Sequence, residues 1–299
     1  MSQLATRLGD VASRLSSALP AAETLSGYIL RLSRPRFWFY LAGPVVVGAS
    51  YAAANPAELF SPVAVALFLY FTLPANVFLY GVNDVFDHDV DEHNPKKSGK
   101  EVRYRGSRLV DGIILASGLL GLVFFLVLPI EAAIALVAYY VLAIEYSAPP
   151  LRFKTNPFLD SLSNGLYILP GVVAFAAIAG EFPPALAILG GWLWTMAMHT
   201  FSAIPDIDPD REAGIATTAT FLGDSRTYAY CGVVWLAAAV SFALVDWRLG
   251  ALLAVYPVFV TGIAVSDVAV DRAYWWFPFV NTVVGFLMTM GGLWVMLYG

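Results

Sequence analysis

Two clusters of acidic residues interrupt an otherwise apolar sequence. The first cluster occupies residues 83–91 and reads NDVFDHDVD. If the preceding helix continues through it, four oxygen-bearing side chains share one stripe, namely Asn83, Asp84, Asp87 and Asp91. Carboxylates on one stripe repel each other unless a cation lies among them, and oxygen ligands without cysteine suit Mg²⁺ rather than zinc. The spacing therefore predicts a Mg²⁺ site made by these residues.

A second acidic cluster repeats the arrangement. Asp206 and Asp210 are an i, i+4 pair, and Arg211 follows directly. A single such cluster is usually a solvated turn, but two clusters at helix ends on one membrane face favour a common ligand. Because Mg²⁺ prefers one or two carboxylates plus substrate phosphates to a cage made only of protein, the clusters predict clamps on Mg²⁺ ions that bridge one diphosphate. The carboxylates predicted to be catalytic are Asp87, Asp91, Asp206 and Asp210.

A third polar segment, residues 146–154, reads YSAPPLRFK and follows an apolar run. Arg152 and Lys154 could neutralise diphosphate oxygens, and Tyr146 could donate its hydroxyl to them. The alternative is a positively charged anchor after the end of a helix. The location of the segment on the same membrane face as the acidic clusters favours the diphosphate interpretation.

His199 precedes Asp206 by seven residues, which places it two helical turns away on the same face. It is predicted to lie on the wall of a cavity below the second cluster, as a proton acceptor or a hydrogen-bond donor. A histidine with a purely structural hydrogen bond is the alternative. Glu145 and Asp160 lie at helix ends on the same face. An ionisable group within a membrane span is taken as a functional candidate. These two lie at shallow depth in the membrane, so they are weaker candidates.

Together, these features predict ionisation of an allylic diphosphate. Mg²⁺ and cationic side chains would neutralise the charge that grows on the leaving group. The carbocation would need a dry pocket with aromatic faces that stabilise it. Aromatic residues make up 14% of the chain, and the candidates for this pocket are Trp38, Tyr40, Phe78, Tyr80, Tyr167, Trp192 and Trp194.

The composition requires membrane-spanning helices to carry these residues. Of the 299 residues, 59% are hydrophobic and 13% are charged, and the mean hydropathy is +0.70, whereas a soluble domain has about 25% charged residues. The single cysteine, Cys231, excludes an intrachain disulfide and a cysteine zinc cluster. The predicted class is an all-α integral membrane protein, with membrane lipid and no nucleic acid among its partners.

Nine apolar segments are predicted to cross the membrane, since a span takes roughly 20 mostly apolar residues. Residues 1–35 lack the apolar core and cleavage site of a signal peptide. They are predicted to form a cytosolic or interfacial segment, and residues 36–299 a single nine-helix domain. The predicted spans are 37–54, 62–82, 110–128, 132–146, 159–179, 185–204, 227–245, 249–266 and 275–298.

The lysine and arginine residues orient these spans. When the nine segments alternate, all Lys and Arg except Arg248 fall on one side, and both acidic clusters fall on that side too. Because cytoplasmic loops carry an excess of Lys and Arg, the N-terminus is predicted inside and the C-terminus outside. The predicted location is the cell membrane, with the polar site facing the cytosol.

These motifs resemble those of the UbiA-type superfamily of intramembrane prenyltransferases. Its first signature, N-D-x-x-D-x-x-x-D, matches residues 83–91, and its second, D-x-x-x-D, matches residues 206–210. The segment 146–154 is similar to a third recurring stretch, and Arg34-Pro35 to the start of the first span. The resemblance implies nine helices around a central cavity, a cytosolic cap that holds Mg²⁺ and diphosphate, and a lateral opening to lipid. The diphosphate-binding residues it implies are Arg34, Tyr146, Arg152, Lys154 and Arg211.

Within the superfamily, the chain most resembles the carotenoid-prenylating branch, the lycopene elongases. Residues 94–97 read NPKK where quinone-precursor and haem-prenylating members carry Arg-Thr-x-x-Arg-Pro, and residues 36–44 read RFWFYLAGP. This resemblance implies transfer of a C5 unit from dimethylallyl diphosphate (DMAPP) to lycopene, towards C50 carotenoids such as bacterioruberin. The resulting tertiary cation would lose a proton or take up water.

Two alternatives stay open at this level. The first is prenylation of a polar acceptor, such as a quinone precursor or an archaeal glycerophosphate lipid. It predicts additional cationic or hydrogen-bonding groups in the acceptor cavity, whereas lycopene predicts an apolar tunnel open to the bilayer. The second is a cation-coupled transporter. Transporters place coupling charges near the membrane midplane, whereas the acidic residues here lie at the cytosolic rim.

Overall fold

The computed structural model describes residues 20–21, 23–87, 104, 106–266, 268 and 270–299. Every regular element in these ranges is a helix, which confirms the all-α class. Asp91 of the first acidic cluster and the segment 94–97 lie outside the described residues.

The α-helices are numbered here in chain order. They are α1 (Leu25–Leu32), α2 (Trp38–Ala52), α3 (Pro56–Leu59), α4 (Pro62–Thr72), α5 (Pro74–Phe86), α6 (Arg108–Leu122), α7 (Ile130–Glu145), α8 (Leu159–Ser163), α9 (Leu169–Ala179), α10 (Ala185–Ser202), α11 (Ile207–Glu212), α12 (Thr218–Leu222), α13 (Asp224–Ala243), α14 (Trp247–Leu253), α15 (Val255–Ala264) and α16 (Val270–Tyr298). Short 3₁₀ turns lie at Pro35–Phe37, Val123–Leu126, Phe153–Thr155, Asn164–Tyr167 and Ile204–Asp206.

A proline lies inside the predicted second span. The span predicted at 62–82 lies within the helical stretch Pro56–Phe86, in which α4 and α5 meet at Pro74. Pro74 has no N–H to donate to the helical ladder, and it occupies the start of α5, where that N–H is not needed. Pro44, in contrast, lies inside α2, where neighbouring helices can satisfy the carbonyl it leaves free.

Five helical stretches in the described ranges are long and apolar enough to cross a membrane. They are Pro56–Phe86, Arg108–Leu126, Leu159–Ala179, Trp247–Ala264 and Trp276–Tyr298. By length and composition, the chain therefore has the character of a multi-pass membrane protein. Helices α2, α7, α10 and α13 coincide with the other four predicted segments, so the count of nine spans and the orientation of the N-terminus stay predictions.

The helices pack into two hydrophobic clusters. The first is built from helices between α1 and α9 and includes the fully buried Phe71, Leu136 and Tyr139. The second is built from α10 to α16 around Trp235 and Phe277, whose rings are stacked with centroids 5.5 Å apart. The chain is thus divided into an N-terminal and a C-terminal half.

Helix α2 joins the two halves, because it packs against α9 and against α16. Gly48 of α2 makes the first of these contacts possible. A Cβ atom at Gly48 would lie 2.1 Å from the carbonyl oxygen of Gly171 in α9, so only glycine allows the two backbones to approach this closely. The polar residues singled out above lie where helices from the two halves end.

Candidate active site

A cavity of about 200 Å³ lies between the two halves. Its walls come from α2, α5, α10 and α16 and from the turns that follow α1, α7 and α8. The polar side chains of the wall include Arg34, Asn83, Tyr146, Asn164, His199 and Ser202. One cavity therefore receives residues from the first acidic cluster, from the 146–154 segment and from the helix that precedes the second acidic cluster.

Asn83 and Asp84 lie in the last turn of α5. The Asp84 residue is 2% exposed, and its Oδ1 accepts a hydrogen bond from Arg34 Nη2 at 3.2 Å. The Arg34 guanidinium also lies 4.5 Å from the ring centroid of Tyr80, and Asn83 Nδ2 donates to Ser147 Oγ at 2.9 Å. A predicted metal ligand and a predicted diphosphate ligand are thus paired with each other.

Helix α5 ends at Phe86 instead of continuing through the first cluster, and Asp87 follows as its cap. The Asp87 carboxylate contacts Lys154 Nζ and lies 3.4 Å from Arg152 Nη2. The same Arg152 nitrogen donates to the Phe86 carbonyl oxygen at 3.3 Å. The 146–154 segment therefore folds back onto the first acidic cluster, and its cations balance the cluster's charge.

Arg34 and Arg152 both adopt the left-handed backbone region, with φ of 49° and 41°. Phe158 is the other non-glycine residue with a positive φ in the part of the chain that the structure describes. Such a conformation costs a non-glycine residue roughly 1–3 kcal/mol and persists only where its surroundings over-determine it. Both strained residues are cations held against the first acidic cluster, which is an arrangement typical of a functional site.

The second acidic cluster follows α10. Asp206 immediately precedes α11, and Asp210 lies inside α11. Arg211 donates to the Thr220 carbonyl oxygen at 3.0 Å and pairs with Asp208 at 3.7 Å, so in this arrangement it connects α11 to α12. The roles of these residues toward metal and diphosphate stay predictions.

His199 lines the cavity from α10, and its side chain is 21% exposed. Its Nε2 lies 3.9 Å from Oδ2 of Asp160 in α8. Asp160 is 1% exposed, and its carboxylate accepts the backbone N–H of Thr218 at 3.0 Å and the Thr218 hydroxyl. Asp160 was expected to lie at shallow depth, whereas the structure buries it. An ionisable residue within an apolar run is the sequence signal that could have identified Asp160 as a functional candidate.

Aromatic side chains form much of the remaining wall. Tyr40, Tyr80 and Tyr167 line the cavity, and so do Phe37 and Tyr274, which the sequence analysis did not single out. The rings of Phe37 and Tyr40 are stacked with centroids 5.3 Å apart, and those of Tyr40 and Tyr167 meet edge to face at 6.3 Å. The faces of such rings attract a cation through their quadrupoles.

Three other aromatic candidates have roles away from this cavity. Trp38 donates its indole N–H to Ser33 Oγ at 2.9 Å, and Trp192 donates to the Leu162 carbonyl oxygen at 2.8 Å. Phe78 is buried in the N-terminal hydrophobic cluster. These side chains position helices and do not contact the candidate site.

A second, larger cavity of about 740 Å³ adjoins the first at Tyr40, whose side chain lines both. It extends along α2 from Arg36, just before the helix, to Tyr51 in its last turn, a rise of about 22 Å. Most of its wall is apolar or aromatic, and Trp194 belongs to it. Asp246 lines it as well.

Asn281 of α16 lies at the junction of the two cavities. Its Oδ1 accepts the Tyr256 hydroxyl at 2.9 Å, and its Nδ2 lies 3.4 Å from Tyr40 Oη and 3.3 Å from Met198 Sδ. Met198 lines the first cavity and Asn281 the second. The wall between the cavities is therefore a partition of hydrogen-bonded side chains.

Among the described residues, no three His, Cys, Asp or Glu side chains are grouped so that they could hold a metal ion by themselves. Asn83, Asp84 and Asp87 are nevertheless hard oxygen donors at the end of one helix. This donor type suits Mg²⁺ when the ion shares its ligands with phosphate oxygens. The residues fit a metal that is held jointly with a substrate.

Residues 41–277 match the UbiA prenyltransferase family. The chain belongs to this family. The match confirms the resemblance drawn from the acidic motifs, and it makes the protein a prenyltransferase. A prenyltransferase must hold a prenyl diphosphate and an acceptor close together, so the cavity between the two halves is the candidate substrate site.

This UbiA-family chain has relatives that cover most of its length. The lycopene elongase/hydratase of Haloarcula japonica is 65% identical over 287 residues, which are 96% of this chain and 98% of that protein. The lycopene elongase/hydratase of Haloferax volcanii is 64% identical over 272 residues, 91% of this chain and 90% of that protein. The structure of a UbiA homolog from Archaeoglobus fulgidus bound to DMAPP and Mg²⁺ is 20% identical, with a TM-score of 0.69 over 89% of this chain and 98% of that one. This likeness shows that the fold is shared.

Proposed function

We propose that this protein transfers a C5 prenyl group from DMAPP to lycopene, towards C50 carotenoids of the bacterioruberin type. The observation that carries the proposal is the junction, at Tyr40, of a charged and aromatic cavity with a long apolar one. The first has groups that can hold and ionise a diphosphate, and the second suits a hydrocarbon acceptor. The relatives named lycopene elongase/hydratase and the homolog bound to DMAPP and Mg²⁺ support the same substrates.

Diphosphate binding would proceed by an exchange of ion pairs. Arg34 pairs with Asp84, and Lys154 and Arg152 pair with Asp87. A diphosphate offers these cations several charge-assisted hydrogen bonds, which are shorter and stronger than neutral ones. The cations would turn to the diphosphate and release the carboxylates, and Tyr146 would donate its hydroxyl to the same oxygens.

The released carboxylates would serve as metal ligands. When bound, Mg²⁺ neutralises charge that develops on the leaving diphosphate. Both acidic clusters would contribute, because each follows a helix whose last turn lines the first cavity. The proposed ligands are Asn83, Asp84, Asp87, Asp91, Asp206 and Asp210.

The prenyl group would lie among Tyr40, Tyr80 and Tyr167. As the bond to the diphosphate breaks, the faces of these rings stabilise the allylic cation, each by about 0.5–2 kcal/mol. The rings also keep bulk water away from the cation until it meets the acceptor. The hydroxyls of Tyr80 and Tyr167 are hydrogen-bonded to each other, and Asn281 donates to that of Tyr40, so the three rings are held in place.

The acceptor would occupy the second cavity with one end at Tyr40. A volume of about 740 Å³ lies within the range of roughly 300–1,000 Å³ typical of ligand pockets. The charged residues on its wall are Arg36 and Asp246, and between them the wall suits a polyene. Arg36 lies at the Tyr40 end of this cavity, where its guanidinium faces the rings of Phe37 and Tyr274. The long apolar wall beyond it favours a polyene over a quinone precursor or a glycerophosphate lipid.

We further propose that the protein lies in the cell membrane with nine spans, the N-terminus inside and the site facing the cytosol. The distribution of Lys and Arg along the sequence supports this orientation. Cytosolic access would suit a water-soluble diphosphate, while lycopene would enter from the lipid.

The test is an assay in membranes with DMAPP or geranylgeranyl diphosphate as donor, and lycopene or a quinone precursor as acceptor. We expect C45 and then C50 carotenoids from DMAPP and lycopene, with release of diphosphate. Prenylation of the quinone precursor or of a glycerophosphate lipid, with lycopene unchanged, would refute the proposed acceptor. Cation flux in vesicles without any prenylated product would favour a transporter instead.

A further inference from the structure

We propose that His199, held beside Asp160, is the group that accepts the proton when a water molecule adds to the prenylated acceptor, a hydration that the relatives named lycopene elongase/hydratase carry in their name. This inference rests on the proposed function, because the cation that the water quenches is formed by prenyl transfer. It gives a task to a histidine and a buried carboxylate that diphosphate binding does not use.

The surroundings of His199 suit a bound water molecule. Its ring lies 6.0 Å from that of Tyr146, edge to face, and Asn164 lines the same cavity. A bound water needs roughly two to four polar partners and a volume of about 30 Å³. The imidazole and the amide can supply two of these partners while the Tyr146 hydroxyl binds the diphosphate, and a cavity of about 200 Å³ leaves room for water beside a C5 group.

Asp160 gives the imidazole its electrostatic support. The carboxylate is 1% exposed and is fixed from α12 by the backbone N–H and the hydroxyl of Thr218. Asn164 Nδ2 donates to the Asp160 carbonyl oxygen at 2.6 Å. The backbone of Asp160 is therefore held by a residue that lines the first cavity. The separation of 3.9 Å between His199 Nε2 and Asp160 Oδ2 exceeds a hydrogen bond. It is short enough for the carboxylate to stabilise an imidazolium as it forms.

The other groups of the site are less suited to accept this proton. Asp84 and Asp87 are paired with Arg34 and Lys154 in the absence of diphosphate, and with diphosphate bound they would serve as ligands of Mg²⁺. The tyrosine hydroxyls around the cavity hold their protons at neutral pH and act mainly as donors. Of the described residues that line the first cavity, His199 alone carries an imidazole, and imidazole is the side chain that most often accepts protons in catalysis.

The chemistry balances with water as the co-reactant. The allylic cation forms a C–C bond with the terminal double bond of lycopene, which leaves a tertiary cation, and the diphosphate departs with the electron pair of the broken C–O bond. The water oxygen then forms a C–O bond to the tertiary carbon, and one of its protons passes to His199 and later to solvent. Loss of a proton from the neighbouring carbon would give an alkene instead. His199 would therefore set the ratio of alcohol to alkene.

The test compares the products of His199→Gln with those of the unchanged protein in membranes supplied with DMAPP, Mg²⁺, lycopene and water enriched in oxygen-18. Glutamine keeps hydrogen-bonding groups but does not accept a proton. We expect the ratio of alcohol to alkene to fall at least about tenfold, since a general base contributes typically 10²–10⁴-fold. The alcohol from the unchanged protein should carry the oxygen-18 label.

Two additional variants separate a proton acceptor from a packing residue. Ser241→Ala is the control, because the Ser241 hydroxyl lines neither cavity and donates to the Ala237 carbonyl oxygen within α13 at 2.8 Å; its product ratio should equal that of the unchanged protein. His199→Ala should lose the alcohol and regain it when imidazole is added, which the loss of a packing contact would not produce.

The outcomes are distinguishable because diphosphate release and the C5 adduct are measured in the same samples. An unaltered ratio in His199→Gln, an adduct that is only alkene in the unchanged protein, or the absence of imidazole rescue would each overturn the inference. Failure of the unchanged protein to form any C5 adduct from lycopene would instead overturn the proposed function.

Discussion

The substitution Asp87→Asn tests the first acidic cluster most directly. Asp87 contacts Lys154 and lies 3.4 Å from Arg152, and the side chains of Asp87 and Lys154 are only 17% and 12% exposed. The amide keeps the shape of the side chain and one oxygen, but it removes the negative charge. Two cations then lie together without this counter-charge, and the proposed metal exchanges a charged ligand for a neutral one.

The structure allows the effects on folding and on turnover to be separated. Removing one partner of a buried ion pair costs roughly 3–5 kcal/mol. The Arg152 side chain is 37% exposed, so water solvates the unpaired cation and offsets part of this cost. We therefore expect the free energy of unfolding to fall by about 1–2 kcal/mol. Removing one group that stabilises charge in a transition state lowers kcat by roughly 10²–10³, or about 2.7–4 kcal/mol. Turnover should therefore suffer more than folding.

The assay measures release of diphosphate from DMAPP with lycopene in membranes, and the apparent Tm of the purified protein in detergent. The matched control is Asp208→Asn, since the Asp208 side chain is 88% exposed and its partner Arg211 lies 3.7 Å away. We expect this control to keep the activity of the unchanged protein. An Asp87→Asn protein that is folded and as active as Asp208→Asn would refute the proposed role of Asp87.

Three further predictions address the second cluster, the metal and the packing of helices. Asp210→Ala should abolish turnover while the protein still inserts and folds, and retained activity would count strongly against the paired clamp. Chelation of divalent metal with EDTA should stop diphosphate release, and added Mg²⁺ should restore it; a rate insensitive to EDTA would contradict the role of the metal. Gly48→Val should lower the Tm in detergent through a loss of roughly 1–3 kcal/mol, because a Cβ there would lie 2.1 Å from the Gly171 carbonyl oxygen. Gly262→Ala, where a Cβ meets nothing within 4 Å, is its control, and equal Tm values for the two variants would show that α2 and α9 are not in close contact.

Local patterns were enough to recognise the kind of protein. The apolar runs predict membrane helices, and the acidic clusters at 83–91 and 206–210 indicate the family that the comparison confirms. These features need no knowledge of tertiary contacts, because hydropathy and i, i+4 spacing are properties of a single segment. Even locally, one detail was wrong: α5 ends at Phe86 before the first cluster is complete.

The composition of the cavity walls could not be predicted in the same way. Several aromatic candidates were equivalent in the sequence, yet Tyr40 and Tyr80 line the first cavity while Trp38 and Phe78 do not. Arg211 follows an acidic residue, as expected of a diphosphate ligand, yet its guanidinium donates to a backbone carbonyl of α12. The direction in which each side chain points depends on how its helix is rotated against its neighbours.

The sequence by itself determined which residues could do the chemistry, and the tertiary structure decided which of them meet. Arg34 and Asp84 are 50 positions apart, and Asp160 and Thr218 are 58 apart. No spacing rule links such pairs, since each contact exists only because packing brings two helix ends together. The close approach of α2 and α9 at Gly48 is one of the contacts that set this packing. The environment of His199, and with it the inferred hydration step, is therefore a product of the fold.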